Sequence, residues 1–300
     1  SPGQHAPAPP SAVPWRAEGI FYRKNEVFLD VVEAYSATLA SDGTPIHTEI
    51  RGVVRARAQL SGMPELRLGF SERVSLGNAG LPNAAAGSAP IVLEDARFHQ
   101  CVRLARFEAD RTICFVPPDG DFELMAYRVA PPATSRPPFS VAVALEARTP
   151  SRLELVVRVE SLLRRRAGAL AVELLVPVPE DAASPALRTT AGATAYAPER
   201  GGVVWTLGYL PGGASQRMRA RLSFPSVRTA RPAPLAPAQL RFEVPHHTAS
   251  QLAVRYLKVV ERAGYTALPW VRYVTQHGVF SVRMPEEANP AEAALIAGAE

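Results

Sequence analysis

Apolar and polar residues trade places at every second position through much of this 300-residue chain, the pattern of strands with one buried face. "RGVVRARAQL", "ELRLGF", "RTICFVP", "DFELMAYRV", "FSVAVALEA", "RLELVVRVE", "LAVELLVPVP", "GVVWTLGYL", "QRMRARLSF", "QLRFEVP" and "PWVRYVTQ" are each short and rich in β-branched or aromatic residues. "SDGTP", "LSGMP", "PPDGD" and "LPGGAS" fall between such segments and supply turn residues. With almost no helical periodicity, the pattern predicts an all-β fold of antiparallel sandwich or barrel type. Two Pro/Ala-rich breaks, at 130–138 and 229–239, bracket a block of about 90 residues that reads as a second, inserted sandwich. The last stretch, "PEEANPAEAALIAGAE", lacks strand residues and is expected to be a frayed helix or a tail.

Hydrophobic residues make up 47% of the chain and charged residues 20%, enough apolar material for one large or two ordinary domains. No apolar run approaches the roughly 20 residues of a membrane-spanning helix. The opening "SPGQHAPAPPSAVP" reads as a flexible Pro-rich linker, 1–14, cut from something longer. Cys101 and Cys114 are the only cysteines and no Asn-x-Ser/Thr site occurs, which fits a reducing compartment better than a disulfide-stapled scaffold. The formal charge of +5 suits either a solvated basic surface or an acidic partner, and Arg is spread over many segments. Nucleic acid is disfavoured, because the basic residues are not interleaved with aromatics as in a recognition module.

Catalytic chemistry is hard to find. The six histidines, His5, His47, His99, His246, His247 and His277, make no zinc-binding spacing. There is no nucleophile elbow, phosphate loop or dinucleotide fingerprint, so the chain reads as a non-enzyme with no cofactor and no metal. Cys101, Cys114 and His99 read as structural.

One motif carries more information. In "NEVFLDVVE", Val27, Leu29 and Val31 share one strand face while Phe28 and Asp30 share the other. Near the far end, "LPWVRYVT" puts Trp270 and Arg272 on one face in the same way, an aromatic ring beside a charge of opposite sign. If the two strands are neighbours, two rings wall a slot with an acid and a guanidinium at its floor, which suits a phenol. If they are not, the residues are two unrelated strands with a surface ion pair.

The surrounding segments resemble a known family. "PWRAEGIFYRKNEVFLDVVE", "LSGMPELRLGF", "LEDARFHQCVRLARFEADRTICFVPPDGDFELMAYR", "VPVPEDAASP", "AYAPERGGVVWTLGYLPGGASQRMRA", "FEVPHHTAS" and "QLAVRYLKVVERAGYTALPWVRYVTQHG" stand in the order and spacing of the mu homology domain of clathrin-adaptor medium chains. Within it, the sequence is most similar to the medium chains of the trans-Golgi/endosomal complex, from about Trp15 to Met284. The resemblance implies two antiparallel β-sandwich subdomains, one inserted in the other: 15–136 with 248–285 binds the signal, 137–247 is the insertion, and 286–300 is a tail. It implies that tyrosine-based Y-x-x-Φ sorting signals, Φ being a bulky apolar residue, are bound in the cytosolic tails of membrane proteins. The tyrosine pocket would be Phe28, Asp30, Arg57, Trp270 and Arg272, and the Φ pocket and backbone edge would use Leu29, Val254, Leu257 and Val271. Strict alternation sets Leu29 opposite to Phe28, and Val254 and Leu257 are three apart, so a bulge or an edge position is required.

The same resemblance implies two large chains and one small chain as partners of the full-length protein. It implies a cytoplasmic site of action, peripheral on trans-Golgi and endosomal membranes and on clathrin-coated vesicles, with the membrane surface met indirectly. Arg164, Arg165 and Arg166 fall in the inserted block, where the plasma-membrane relative carries a phosphoinositide site, and are either a lipid-headgroup contact or a solvated loop. A plasma-membrane adaptor and a scaffolding domain with other partners stand as the alternatives.

Overall fold

The computed structural model describes residues 13–77, 90–131, 135–225, 234–262 and 264–298. Most of the expected linker, the Ala/Gly-rich stretch at 78–89, and residues 132–134 and 229–233 of the two breaks lie outside them. Among the described residues the alternating segments form eighteen strands. In the first part of the chain these are β1 (Glu26–Leu39), β2 (Pro45–Gln59), β3 (Glu65–Phe70), β4 (Val74–Leu76), β5 (Ile91–Phe98), β6 (Val102–Arg103), β7 (Thr112–Phe115) and β8 (Gly120–Val129). There follow β9 (Phe139–Thr149), β10 (Arg152–Ser161), β11 (Gly168–Pro177), β12 (Ala183–Thr189), β13 (Ala193–Ala197), β14 (Gly202–Pro211), β15 (Ser215–Ser223), β16 (Ala238–Pro245), β17 (Val254–Val260) and β18 (Leu268–Val282). Two short helices, α1 (Phe107–Asp110) and α2 (Pro290–Ala297), complete the fold, which is all-β as the pattern predicts.

The chain divides into two units, the first made of 1–32, 51–129 and 250–273, the second of 33–50, 130–249 and 274–300. These bounds give 33–50 and 274–300 to the unit that holds the inserted block. The reason is length: β1, β2 and β18 have 14, 15 and 15 residues, far above the mean strand of about 5–6, so each supplies residues to both units. In the first unit one sheet has the order β18-β1-β2-β8-β5-β4 and the other β17-β3-β7-β6. Val27, Leu29, Val31, Val54, Leu66, Leu68, Phe70 and Phe115 fill its interior, all at 1% exposure or less. In the second unit, β12-β15-β10-β9 forms one sheet and β13-β14-β11-β16 carries on into β18 in the other, around Phe139 and Phe242 with ring centroids 4.6 Å apart.

Two anchors position the ends. Arg16 is enclosed and donates to three carbonyls, Leu60 O (2.5 Å), Gly62 O (2.8 Å) and Pro117 O (3.2 Å), which satisfies a buried cation and pins the segment before β1. Burial lowers its pKa, with the charge of Asp119 acting the other way. At the far end, where a frayed helix or a tail is expected, the chain forms a capped helix. Asn289 Oδ1 accepts the N–H of Glu292 and Asn289 Nδ2 donates to Glu292 Oε2, both at 3.3 Å, with Pro290 in the first turn. Arg217 Nε donates to Ile296 O (3.1 Å), where a cation suits the helix dipole, while Ala293 and Ile296 pack against Ala142, Ala144 and Val156.

Candidate functional site

β1 alternates as its sequence requires: Val27, Leu29 and Val31 point into the core and Phe28 and Asp30 lie half-buried on the outer face. Its neighbour is β18. Leu268 N–H donates to Asn25 O at one end and Arg283 N–H to Leu39 O at the other, so the first and last strands run parallel. That alignment brings Arg272 onto Asp30: Nε reaches Oδ1 at 2.9 Å and Nη2 reaches Oδ2 at 2.8 Å, a bidentate fork. Trp270, two residues earlier on the same face, is 54% exposed.

On the other side of β1 lies β2, where buried Ala56 and Ala58 turn Arg57 outward. Arg57 Nε donates to Asp121 Oδ1 (2.7 Å), at the start of β8, the next strand over. Its guanidinium is held more firmly charged, first through that bond and the Asp121 charge and then, after a small opposing effect of burial, through the charge of Asp30. Four adjacent strands thus carry Arg272, Asp30, Arg57 and Asp121, with charges alternating in sign. Exposed pairs of this kind are weak contributors to stability.

The edge of β18 matters as much as its side chains. The ladder between β16 and β18 ends at Pro245↔Val274, and among the described residues Leu268–Tyr273 has β1 alone as a strand neighbour. Leu268 turns its N–H toward β1, so by alternation Trp270 and Arg272 do the same. Val271 and Tyr273 then offer N–H and C=O to the open side, while Pro269 offers a carbonyl only, as befits an edge. An open strand edge is a template for an added strand.

Behind this edge an apolar group gathers on the inner face. The ladder of β17 with β3 slips between Val254 and Tyr256, so that Val254 pairs with Phe70 and Leu257 with Leu68. Phe70 and Leu68 are both core residues two apart, so Val254 and Leu257, three apart in sequence, share the inner face. Val254 N–H donates to a side chain of β18, the hydroxyl oxygen of Tyr273, at 3.0 Å. Val254 and Val271 are half-buried, Leu257 is 9% exposed, and Leu29 is sealed beneath at 1%. The tyrosine-type residues and the apolar residues therefore lie on opposite faces of one strand edge, and the sequence-level difficulty is resolved by the slip and by the edge.

Other expected residues lie elsewhere. Arg164, Arg165 and Arg166 are exposed in the turn between β10 and β11 of the second unit, closed by Ala167 N–H on Arg164 O, with exposed Tyr209 stacked over Gly168 nearby. Cys101 and Cys114 are buried and unpaired, and burial pushes the Cys101 thiol up to about 12. Among the described residues no group of three or more His, Cys, Asp or Glu stands where it could hold a metal ion, and no helix is long and apolar enough to cross a membrane. Asp121 and Tyr273 are the site residues that sequence reading passed over. Asp121 sits 64 residues from Arg57, and only the β2–β8 pairing reveals the link.

Comparison with known proteins adds the following. Residues 13–284 match the family model described as the adaptor complexes medium subunit family. The AP-1 complex subunit mu-1-I of Caenorhabditis elegans is 45% identical over 283 residues, covering 93% of this chain and 66% of that protein. The AP-1 complex subunit mu of Dictyostelium discoideum is 46% identical over 273 residues, covering 91% and 63%. The Fcho1 mu homology domain of Danio rerio, solved with a bound Eps15 peptide, superposes with a TM-score of 0.62 at 12% identity over 88% of this chain and 98% of that one. This chain spans a little under two thirds of the length of the AP-1 relatives it matches.

Proposed function

This chain belongs to the adaptor complexes medium subunit family, and we propose that it binds Y-x-x-Φ signals of membrane-protein tails along the open edge of β18. The signal lies extended beside Leu268–Tyr273 and exchanges main-chain hydrogen bonds with Val271 and its edge neighbours. Its tyrosine ring enters between Phe28 and Trp270 on the outer face, and the hydroxyl donates to Asp30, whose charge Arg272 balances. Arg57 flanks the far side of the same carboxylate.

The spacing of the signal follows from strand geometry. Side chains of an added strand alternate with period two, so residues three apart point to opposite faces. A tyrosine on the outer face then carries Φ to the inner face, over Val254, Val271 and Leu257 with Leu29 as the floor. The observation that carries the reading is this pairing of an outward acid–guanidinium slot with an inward apolar group across one unpaired edge.

Two side chains and a few main-chain bonds, less the entropy of ordering a flexible tail, give roughly micromolar affinity. Avidity on a coated membrane supplies the rest. The corresponding whole-protein role is cargo selection in an adaptor complex with two large chains and one small chain, at the cytoplasmic face of trans-Golgi and endosomal membranes. Calorimetric titration with a Y-x-x-Φ peptide and its Tyr→Ala control tests the reading. Micromolar binding of the first and none of the second is expected; equal binding, or none, overturns it.

A lipid contact is a second reading, favoured by three exposed arginines, Arg164–Arg166, beside exposed Tyr209 and Leu170. Sedimentation with phosphoinositide-containing vesicles tests it, with charge reversal of the three arginines as the control; unchanged binding would end it.

A further inference from the structure

Asp30 stands between two guanidinium groups, and only one of them touches it. Arg272 places one N–H on each carboxylate oxygen, at 2.9 and 2.8 Å. A carboxylate has about four acceptor positions, so roughly two remain for a ligand hydroxyl. Arg57, on the other neighbouring strand and facing outward like Asp30, also feels the charge of Asp30. If Arg57 swung onto Asp30, its planar fork would take the remaining positions and fill the floor of the slot.

Arg57 is engaged instead by a second acid. Asp121 binds Arg57 through Nε, at 2.7 Å. Nε lies at the base of the guanidinium, so a bond there orients the whole plane rather than one tip. The pair is far too exposed, 56% and 72%, to matter for stability. The neighbouring acid Asp119 is unsuited to the task because it is engaged by the Tyr22 hydroxyl at 3.0 and 3.1 Å. Gly120, between the two acids, has a φ of 82°, a left-handed turn that starts β8 with Asp121 facing Arg57.

We propose that Asp121 is a positioning residue for the tyrosine slot: it touches no ligand, and by holding Arg57 off Asp30 it keeps acceptor positions open for the tyrosine hydroxyl. This inference rests on the peptide-binding reading above. It makes Asp121 a determinant of discrimination between tyrosine and phenylalanine, because only the hydroxyl uses the positions that Asp121 keeps free.

The test is a double-mutant cycle on the full chain with D121N, R57Q and the double variant, titrated with Y-x-x-Φ and F-x-x-Φ peptides. D121N is expected to weaken the tyrosine peptide by roughly three- to tenfold, the worth of one hydrogen bond, and to narrow the Tyr/Phe ratio by the same factor. In the R57Q background the same change is expected to move affinity by less than about twofold, and D121E, which keeps the carboxylate, to retain most of the binding. Parent-like affinity and Tyr/Phe ratio in D121N, or an undiminished loss in the R57Q background, overturns the inference and leaves the peptide-binding reading standing. Failure of the parent chain to tell tyrosine from alanine peptides is a separate result that overturns that reading and this inference with it.

Discussion

Asp30→Asn is the change that separates a binding role from a structural one. The substitution keeps the shape and removes the charge. Asp30 is held by a bidentate fork from Arg272 at 2.8 and 2.9 Å, with the two side chains 35% and 66% exposed. At that exposure the pair contributes about 0–1 kcal/mol to stability, which for a chain of this size moves the melting temperature by a few degrees at most. A ligand hydroxyl bonded to a charged acceptor is worth about 1.5–3 kcal/mol, and the amide of Asn recovers part of it as a neutral acceptor. Binding should therefore weaken by about tenfold or more, while thermal unfolding is nearly unchanged. Calorimetric titration beside a thermal melt reads both numbers from one preparation. Affinity within twofold of the parent, or a fall in stability with binding intact, would refute the reasoning, because the acid would then serve the fold.

Further outcomes follow from other parts of the structure. Phosphorylating the ligand tyrosine sets about two negative charges against Asp30 in a slot sized for a hydroxyl, so at least a tenfold loss is expected in the same titration; equal binding of the phosphopeptide would contradict the slot. His247 is held below its usual pKa, chiefly by burial and then by the charge of Arg164, and its Nδ1 meets the Thr275 hydroxyl at 3.2 Å. The folded state thus prefers the neutral ring, and the unfolded chain takes up the extra proton as the pH falls below about 6.5. Urea-derived stability should decline through that window, and His247→Gln should flatten the decline; a variant with the parent's slope would exclude His247 as the source. Ile296→Ala should cost about 2 kcal/mol, the low end for such a truncation because one side of α2 faces water, and Asn289→Ala about 1 kcal/mol for its lost cap. Urea titrations in which neither variant shifts the midpoint would mean that α2 is not docked in solution.

The strands were legible because period two is a property of the backbone, and the buried positions of β1 and β16 alternate without a break. The pairing of Phe28 with Asp30 and of Trp270 with Arg272 was legible for the same reason. That the two pairs meet was a matter of resemblance, since it depends on β1 and β18 lying side by side 242 residues apart. The slip that brings Val254 and Leu257 to one face leaves no residue signature, as it is fixed by how β17 registers on β3. Of the two forms expected for the last stretch, a frayed helix or a tail, the structure has the helix. "EANPAEAAL" contains an Asn cap, a Pro in the first turn and a Glu three residues after the cap, and these residues set where the helix begins. Unit bounds are hard to read from composition because β1, β2 and β18 each pass from one unit to the other, and composition changes at breaks rather than in mid-strand.

Residue-resolved amide hydrogen exchange, with and without a Y-x-x-Φ peptide, asks whether the edge of β18 is where a signal docks. The amides of Val271 and Tyr273, which face the open side, should exchange quickly in the free chain and slow markedly when peptide is added, while that of Leu268, already bonded to Asn25, stays as it was. Peptide bound at saturation with Val271 and Tyr273 exchanging as fast as before would contradict the account.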